Sequence, residues 1–99
     1  MISMARKYDY CGIETRIEKC QYQANGTLAL MLVTNDNTSD VITVNLSHPG
    51  QSNTHAFLDT NNHPGIEAFI LGNGLGRKIS EVRSGFCVYP LYEININNI

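Results

Sequence analysis

Three cysteines and three histidines are the side chains of this 99-residue chain that could bind a transition metal. None of them has the paired spacing of a zinc finger. A set of four, Cys20, His48, His55 and Cys87, would converge at one end of a sheet if the last strand runs parallel to the fourth. That topology predicts a Cys₂His₂ site for a structural zinc ion. The alternative is that both cysteines are core residues and both histidines lie in loops.

A second polar group, Asp59 with Asn61 and Asn62, lies where a strand is followed by a helix. Free backbone N–H groups at such a junction bind anions, but Asp and Asn are also the residues that cap a helix start, and capping is the interpretation we favour. A triad of Cys87, a histidine and Asp59 has no supporting local signature. Glu67 has no carboxylate partner nearby in sequence for acid–base work. We therefore expect no enzyme activity.

Composition places the chain among small globular domains, with 42% hydrophobic residues, 16% charged residues and a formal net charge of −2. No apolar run approaches the roughly 20 residues of a membrane helix, and no dense basic face indicates nucleic-acid binding. An odd number of cysteines without C-x-x-C spacing favours a reduced compartment. We expect one cytoplasmic domain over residues 1–99, with residues 1–12 loosely ordered.

The first predicted element is a β-hairpin, Glu14–Gln23 and Thr27–Thr34, around an Asn-Gly turn. Both turn residues accept positive φ, so this dipeptide is a strong hairpin signal. A two-residue turn would place Cys20 opposite Met31. A three-residue turn would place Cys20 opposite Leu30, and this is the register we favour, since it puts Cys20 on the more apolar face.

The remaining elements predict an α+β fold in the order β-β-β-β-α-β, an antiparallel meander followed by a β-α-β unit. Alternating apolar residues indicate the third strand, and an i, i+3, i+4 stripe indicates a short helix. In chain order we expect a strand over Val41–Leu46, a loop over Ser47–His55, a strand over Ala56–Thr60, a helix with Ile66, Phe69 and Ile70 on its apolar stripe, a connector over Leu75–Gly85 and a strand over Phe86–Ile96.

The last predicted strand carries apolar residues on both faces, so both faces must be covered. Pro90 cannot donate to a sheet, which predicts an edge strand or a bulge there. Aromatic residues are enriched in interface cores. We therefore predict a protein contact surface of five residues, Tyr89, Leu91, Glu93, Arg77 and Lys78; the alternative is that the apolar residues pack beneath a second layer.

Several short motifs together resemble an uncharacterised family of small proteins carried on conjugative elements and phages of Firmicutes and Bacteroidetes. They are Asn25–Ala29, Thr43–Leu46, Ala56–Asn62, Asn73–Leu75 and Ser84–Glu93. The resemblance covers roughly residues 14–93. It departs at the His63-Pro64-Gly65 corner, where a bulkier residue is expected after the proline.

The resemblance implies an accessory protein of a mobile element, a setting in which small acidic anti-CRISPR and antirestriction proteins occur. Our leading hypothesis is a non-enzymatic inhibitor that binds a host defence protein such as a Cas9-like effector, as a monomer or homodimer, without direct contact to nucleic acid or membrane. The alternatives are a module that binds a small ligand at the corner Asp59–Pro64 and an accessory protein stabilised by zinc.

Overall fold

A computed structural model describes residues 7–36 and 38–99 of the chain. Over these residues it has eight strands, one α-helix and one 3-10 helix. They are β1 (Tyr8–Tyr10), β2 (Ile13–Gln21), β3 (Leu28–Thr34), β4 (Ser39–Val41), β5 (Thr43–Val44), β6 (His55–Leu58), α1 (Ile66–Gly72), β7 (Gly76–Ser84), β8 (Cys87–Ile94) and the 3-10 helix Ile96–Asn98.

The strands form two antiparallel sheets of four. The first has the order β1-β2-β3-β4 and the second the order β5-β6-β8-β7. With one short helix against them, this arrangement is an α+β fold, as predicted. The meander β2-β3-β4 is also confirmed, since β2 pairs with β3 and β3 with β4.

Ile42 divides the predicted third strand into two pieces that belong to different sheets. Its N–H donates to Leu30 of the first sheet at 3.0 Å, and its carbonyl accepts from Asp59 beside the second sheet at 2.8 Å. The side chain is fully buried. A strand that changes sheets at a bend is one way for two sheets to share a corner, and here Ile42 is that corner.

The hairpin β2–β3 forms as predicted, but in neither of the two predicted registers. Cys20 pairs with Ala29. The connection contains four residues, closed by a bond from the Tyr22 N–H to the Thr27 carbonyl at 2.9 Å. One additional turn residue moves each side chain of one strand to the opposite face relative to its partner, so Cys20 lies away from the face that carries Leu30.

The main core lies between the inner faces of the two sheets and the helix. The predicted stripe is confirmed, because Ile66, Phe69 and Ile70 are the buried residues of α1. The helix ends in a Schellman motif: Gly74 has φ 66° and Leu75 N–H donates to the Ile70 carbonyl at 2.9 Å. Glycine suits this left-handed position because it lacks a Cβ.

The prediction of a parallel β-α-β unit is wrong. The expected connector contains β7, which forms an antiparallel hairpin with β8, and β8 is also antiparallel to β6. The last strand is therefore an interior strand rather than the predicted edge. The bulge allowed for at Pro90 lies instead in the partner strand, where the register shifts between Lys78 and Ser80.

Part of the segment over residues 1–12 that was predicted to be loosely ordered forms a strand. Tyr8–Tyr10 pairs with β2 as β1. The rings of Tyr8 and Tyr10 contact Phe69 edge to face, with centroids 6.0 Å and 5.3 Å away. Aromatic pairs in this geometry stabilise a fold beyond their buried area. Residues 1–6 of the predicted loose segment lie outside the described residues.

Candidate functional site

The register of β8 separates two of the four predicted zinc ligands, His55 and Cys87. His55 pairs with Glu93, and Cys87 lies six residues further along β8, about 20 Å away at roughly 3.3 Å per residue. The parallel arrangement on which the zinc site depended is therefore wrong. Over residues 7–36 and 38–99, no three His, Cys, Asp or Glu side chains form a group that could hold a metal ion.

Both predicted histidine ligands have contacts within the loop between β5 and β6. His48 Nδ1 accepts from the Gly50 N–H at 2.9 Å, and its ring meets Phe57 edge to face at 5.5 Å. His55 Nδ1 bonds to Thr54 Oγ1 at 2.9 Å. His48 is thus a structural loop residue, as in the alternative interpretation, whereas His55 is the first residue of β6. Cys20 and Cys87 are free, half-buried thiols.

Asp59 stabilises the turn that follows β6. Its side chain is buried, its Oδ1 accepts from the Asn62 N–H at 3.2 Å and its Oδ2 from Asn62 Nδ2 at 2.9 Å. Both oxygens are thus engaged inside the chain. The predicted capping differs in detail, because the helix starts later, at Ile66, behind Gly65 and without a side-chain cap.

The prediction that Leu91 lies on a contact surface is wrong. It is only 5% exposed and pairs with Phe57 across the sheet. The loop between β5 and β6 covers it: a Cβ at Gly50 would lie 3.0 Å from Leu91 Cδ2. Leu91 thus packs beneath a second layer, which was the alternative, while Tyr89 on the same face is half-buried.

The three charged residues of the predicted surface pair with one another or with neighbours. Arg77 Nε donates to Glu93 Oε1 at 2.6 Å, and this bond is the main reason that the pKa of Glu93 lies below its usual value. Lys78 Nζ donates to Glu81 Oε2 at 2.8 Å, which raises the pKa of Lys78. Glu67 lies 3.6 Å from the same ammonium group.

Glu67 also links the helix to β8. Tyr92 is fully buried, and its hydroxyl donates to Glu67 Oε1 at 2.8 Å. Burial first, and then this bond to a carboxylate, hold the pKa of Tyr92 well above its ordinary value. The contact joins a core residue to surface ion pairs and is structural.

A further surface feature is the outer end of the β7–β8 hairpin, residues 82–89, which we call the arm. The pairing of β6 with β8 runs from Leu91 to Glu93, so the arm continues past it as two strands. Thr60 Oγ1 connects it to the domain through a long, 3.5 Å bond to the Val88 carbonyl. Two-stranded ribbons are only marginally stable in water.

Phe86 at the tip of the arm is fully exposed, at 104% of its reference area, and Val88 is 42% exposed. Gly85 precedes it with φ 63° in a two-residue turn between Ser84 and Cys87, as a type II′ turn requires. Sequence reasoning placed Phe86 at the start of the last strand, of which both faces were expected to be covered. The sequence signal for this turn was the Gly-Phe dipeptide between two strands. It was missed because the charged stretch before it shows no alternation of apolar and polar residues.

No helix over residues 7–36 and 38–99 is long and apolar enough to cross a membrane.

Comparison with known proteins gives a family and no function. No curated protein and no solved structure matches the chain. The sequence model of DUF4313, a domain of unknown function, matches residues 16–99, which include every element from within β2 to the end. The chain therefore belongs to the DUF4313 family.

Proposed function

We propose that this chain is a non-enzymatic protein-binding module that contacts its partner through the arm. The observation that carries the proposal is Phe86, whose ring is fully exposed at the tip of a protruding hairpin. An exposed phenylalanine forgoes about 1.5–3 kcal/mol of burial free energy. A partner with an apolar pocket recovers that free energy when the ring enters it.

The charge of the arm indicates which side chains of the partner surround that pocket. Residues 82–89 contain one cation, Arg83, and no acidic residue. Over the described residues Arg83 has no ion-pair or hydrogen-bond partner, whereas Arg77 and Lys78 are already paired. Aromatic residues and arginine are the side chains that most often dominate binding energy. The partner surface is therefore an apolar pocket with carboxylates at its edge.

Binding through the tip is favoured over addition of a strand to the exposed edge of β7. That edge carries Arg77, Lys78, Glu81 and Arg83, and its register shifts at Ile79. Charges and bulges on an edge strand are devices that oppose pairing with another chain. The edge of β7 thus opposes strand addition, and the tip of the arm is the favoured contact.

The resemblance to proteins of mobile elements supports a narrower proposal about the partner. It is an effector of a host defence system in the cytoplasm, such as a Cas9-like nuclease, which the bound chain inhibits by covering part of its surface. The net charge of −2 agrees with a protein partner rather than with direct binding to nucleic acid.

Binding and DNA-cleavage assays with purified Cas9-like and restriction nucleases test both parts. We expect the unmodified chain to bind and inhibit one class, Phe86→Ser to weaken binding at least tenfold, and Leu71→Ser to bind normally. Leu71 is the matched control because it is also an exposed apolar residue, at 52%, but lies on α1.

Two results would contradict the proposals separately. If neither nuclease class binds the unmodified chain or is inhibited by it, the assignment to these defence effectors is wrong. If a nuclease binds but Phe86→Ser and Leu71→Ser bind it equally well, the arm is not the contact surface.

A further inference from the structure

A cavity of about 140 Å³ opens on the inner face of the first sheet, outside the arm. Strands β1 to β4 all contribute to it, because the pairs Thr15 with Thr34 and Leu32 with Asp40 place these side chains on one face. Leu32 forms a buried apolar part of the wall, and the turn that carries His63 closes one side. A cavity of about 150 Å³ in another protein holds benzene, so this one accommodates a ligand of similar size.

Most of the polar side chains that line the cavity already donate their hydrogen bonds to other groups of the protein. Tyr10 OH donates to the Pro64 carbonyl at 3.0 Å, and Thr15 Oγ1 donates to the Tyr8 carbonyl at 3.3 Å. These hydroxyl oxygens retain lone pairs, so they can still accept hydrogen bonds.

The remaining lining groups follow the same pattern. Thr34 Oγ1 has one proton, which it shares between the Asp36 carboxylate and the Thr38 carbonyl. His63 Nε2 lies 3.1 Å from the Val41 carbonyl, which can only accept, so this nitrogen carries the proton and Nδ1 of the neutral ring is an acceptor. The Cys11 thiol, which interacts with the Tyr10 hydroxyl, is only a weak donor.

Asp40 adds a negative charge to this set of acceptors. Its carboxylate lines the cavity and, over the described residues, forms no ion pair or hydrogen bond. A ligand that suits the cavity must therefore supply donors and a positive charge. Its body must be apolar, to match Leu32 and Ile13, and the Tyr10 ring adds a surface that attracts cations.

We propose that this cavity binds a small organic ammonium group, with its apolar body against Leu32 and its charge at Asp40. The proposal is independent of the function of the arm. Two sources carry this chemistry, a free amine or a lysine side chain of another protein. Benzylammonium represents the first and Nα-acetyl-lysine N-methylamide the second.

Amide and methyl NMR titrations of the full chain at neutral pH test the proposal. We expect saturable shifts at Ile13, Leu32 and Asp40 with at least one ammonium compound, and the better binder identifies the source. Benzyl alcohol, which lacks the charge, should bind at least tenfold more weakly than benzylammonium. Added salt should weaken the ammonium complex because part of the attraction is between exposed charges.

Variants separate the charge from the shape of the cavity. Asp40→Asn should weaken binding at least tenfold, whereas Glu18→Gln, on an exposed position of β2, should not change it. Ile13→Phe narrows the mouth of the cavity and leaves Asp40 intact. It should also weaken binding, which tests the shape of the cavity separately from its charge. Absence of saturable shifts with either ammonium compound, or equal binding by Asp40→Asn, would overturn the proposal.

Discussion

Gly76 and Gly72 lie four residues apart and tolerate a side chain very differently. A Cβ at Gly76 would lie 2.6 Å from the Glu93 carbonyl oxygen, whereas a Cβ at Gly72 would meet nothing within 4 Å. The first position is a close approach between β7 and the backbone of β8. The second is the open end of the helix.

We expect Gly76→Ala to lower the free energy of unfolding by about 1–3 kcal/mol, because backbone must move to admit the methyl group. Gly72→Ala should raise it by about 0.5–1 kcal/mol, because alanine loses less conformational freedom in a helix. Urea denaturation of both variants measures the difference. Similar stabilities for the two would show that the approach at Gly76 is not tight.

Single residues were predictable where burial alone decides their position. The stripe Ile66, Phe69 and Ile70 is buried because a 3.6-residue period fixes one face of a helix. Leu91 and Phe86 were assigned to the wrong environments for one physical reason. Alternation along a strand shows which residues share a face but not where the covering layers end, so Leu91 lies under a loop and Phe86 lies beyond the sheet.

At the level of elements, the loop between β5 and β6 depends on one side chain that sequence reasoning did not single out. Gln51 is buried. Its Oε1 accepts from the N–H groups of Leu46 at 3.0 Å and His48 at 3.1 Å, and its Nε2 donates to Thr27 Oγ1 and Asn45 Oδ1, each at 3.2 Å. Gln51 therefore holds together the layer that covers Leu91.

Gln51→Ala should lower the free energy of unfolding by about 2–4 kcal/mol, because two partly buried backbone N–H groups lose their acceptor. Gln23→Ala, at an exposed position in the hairpin loop, is the control and should stay within about 0.5 kcal/mol. Chemical denaturation gives both values. A loss below about 1 kcal/mol for Gln51→Ala would mean that water replaces the amide.

Strand β7, which sequence reasoning missed, lacks a periodic pattern. Strand β7 is exposed along most of its length, so its side chains show no alternation between apolar and polar residues. The register of β2 and β3 depended on turn length, which the Asn-Gly signal alone does not determine. The zinc proposal failed at this level, because it needed the direction of β8 and that direction follows from the missed strand.

For the whole molecule, the tyrosines determine how stability changes in alkali. Burial is the main cause of a raised pKa at Tyr10, Tyr22 and Tyr92, and Tyr92 has the largest shift of the three. In the unfolded chain these hydroxyls ionise near pH 10. The folded state keeps its protons above that pH, so folding stability is full below about pH 10 and falls as pH rises further.

Tyr92→Phe should cost about 1–2 kcal/mol at neutral pH, because the hydrogen bond to Glu67 is lost. Above about pH 10 its stability should fall less steeply than that of the unmodified chain, by as much as roughly 1.4 kcal/mol per pH unit for one proton. Urea denaturation between about pH 7 and pH 11 measures both slopes. Parallel slopes would show that Tyr92 ionises as readily in the folded state as in the unfolded one.

The corner at Ile42 also bears on how the chain folds. Every strand pair of the first sheet lies within residues 8–41, and every pair of the second within residues 43–94. Hairpins and a meander close short loops, and folding rates rise as contacts become more local. We therefore expect each half of the chain to assemble its own sheet before the two halves dock, with the backbone bonds of Ile42 aligning them.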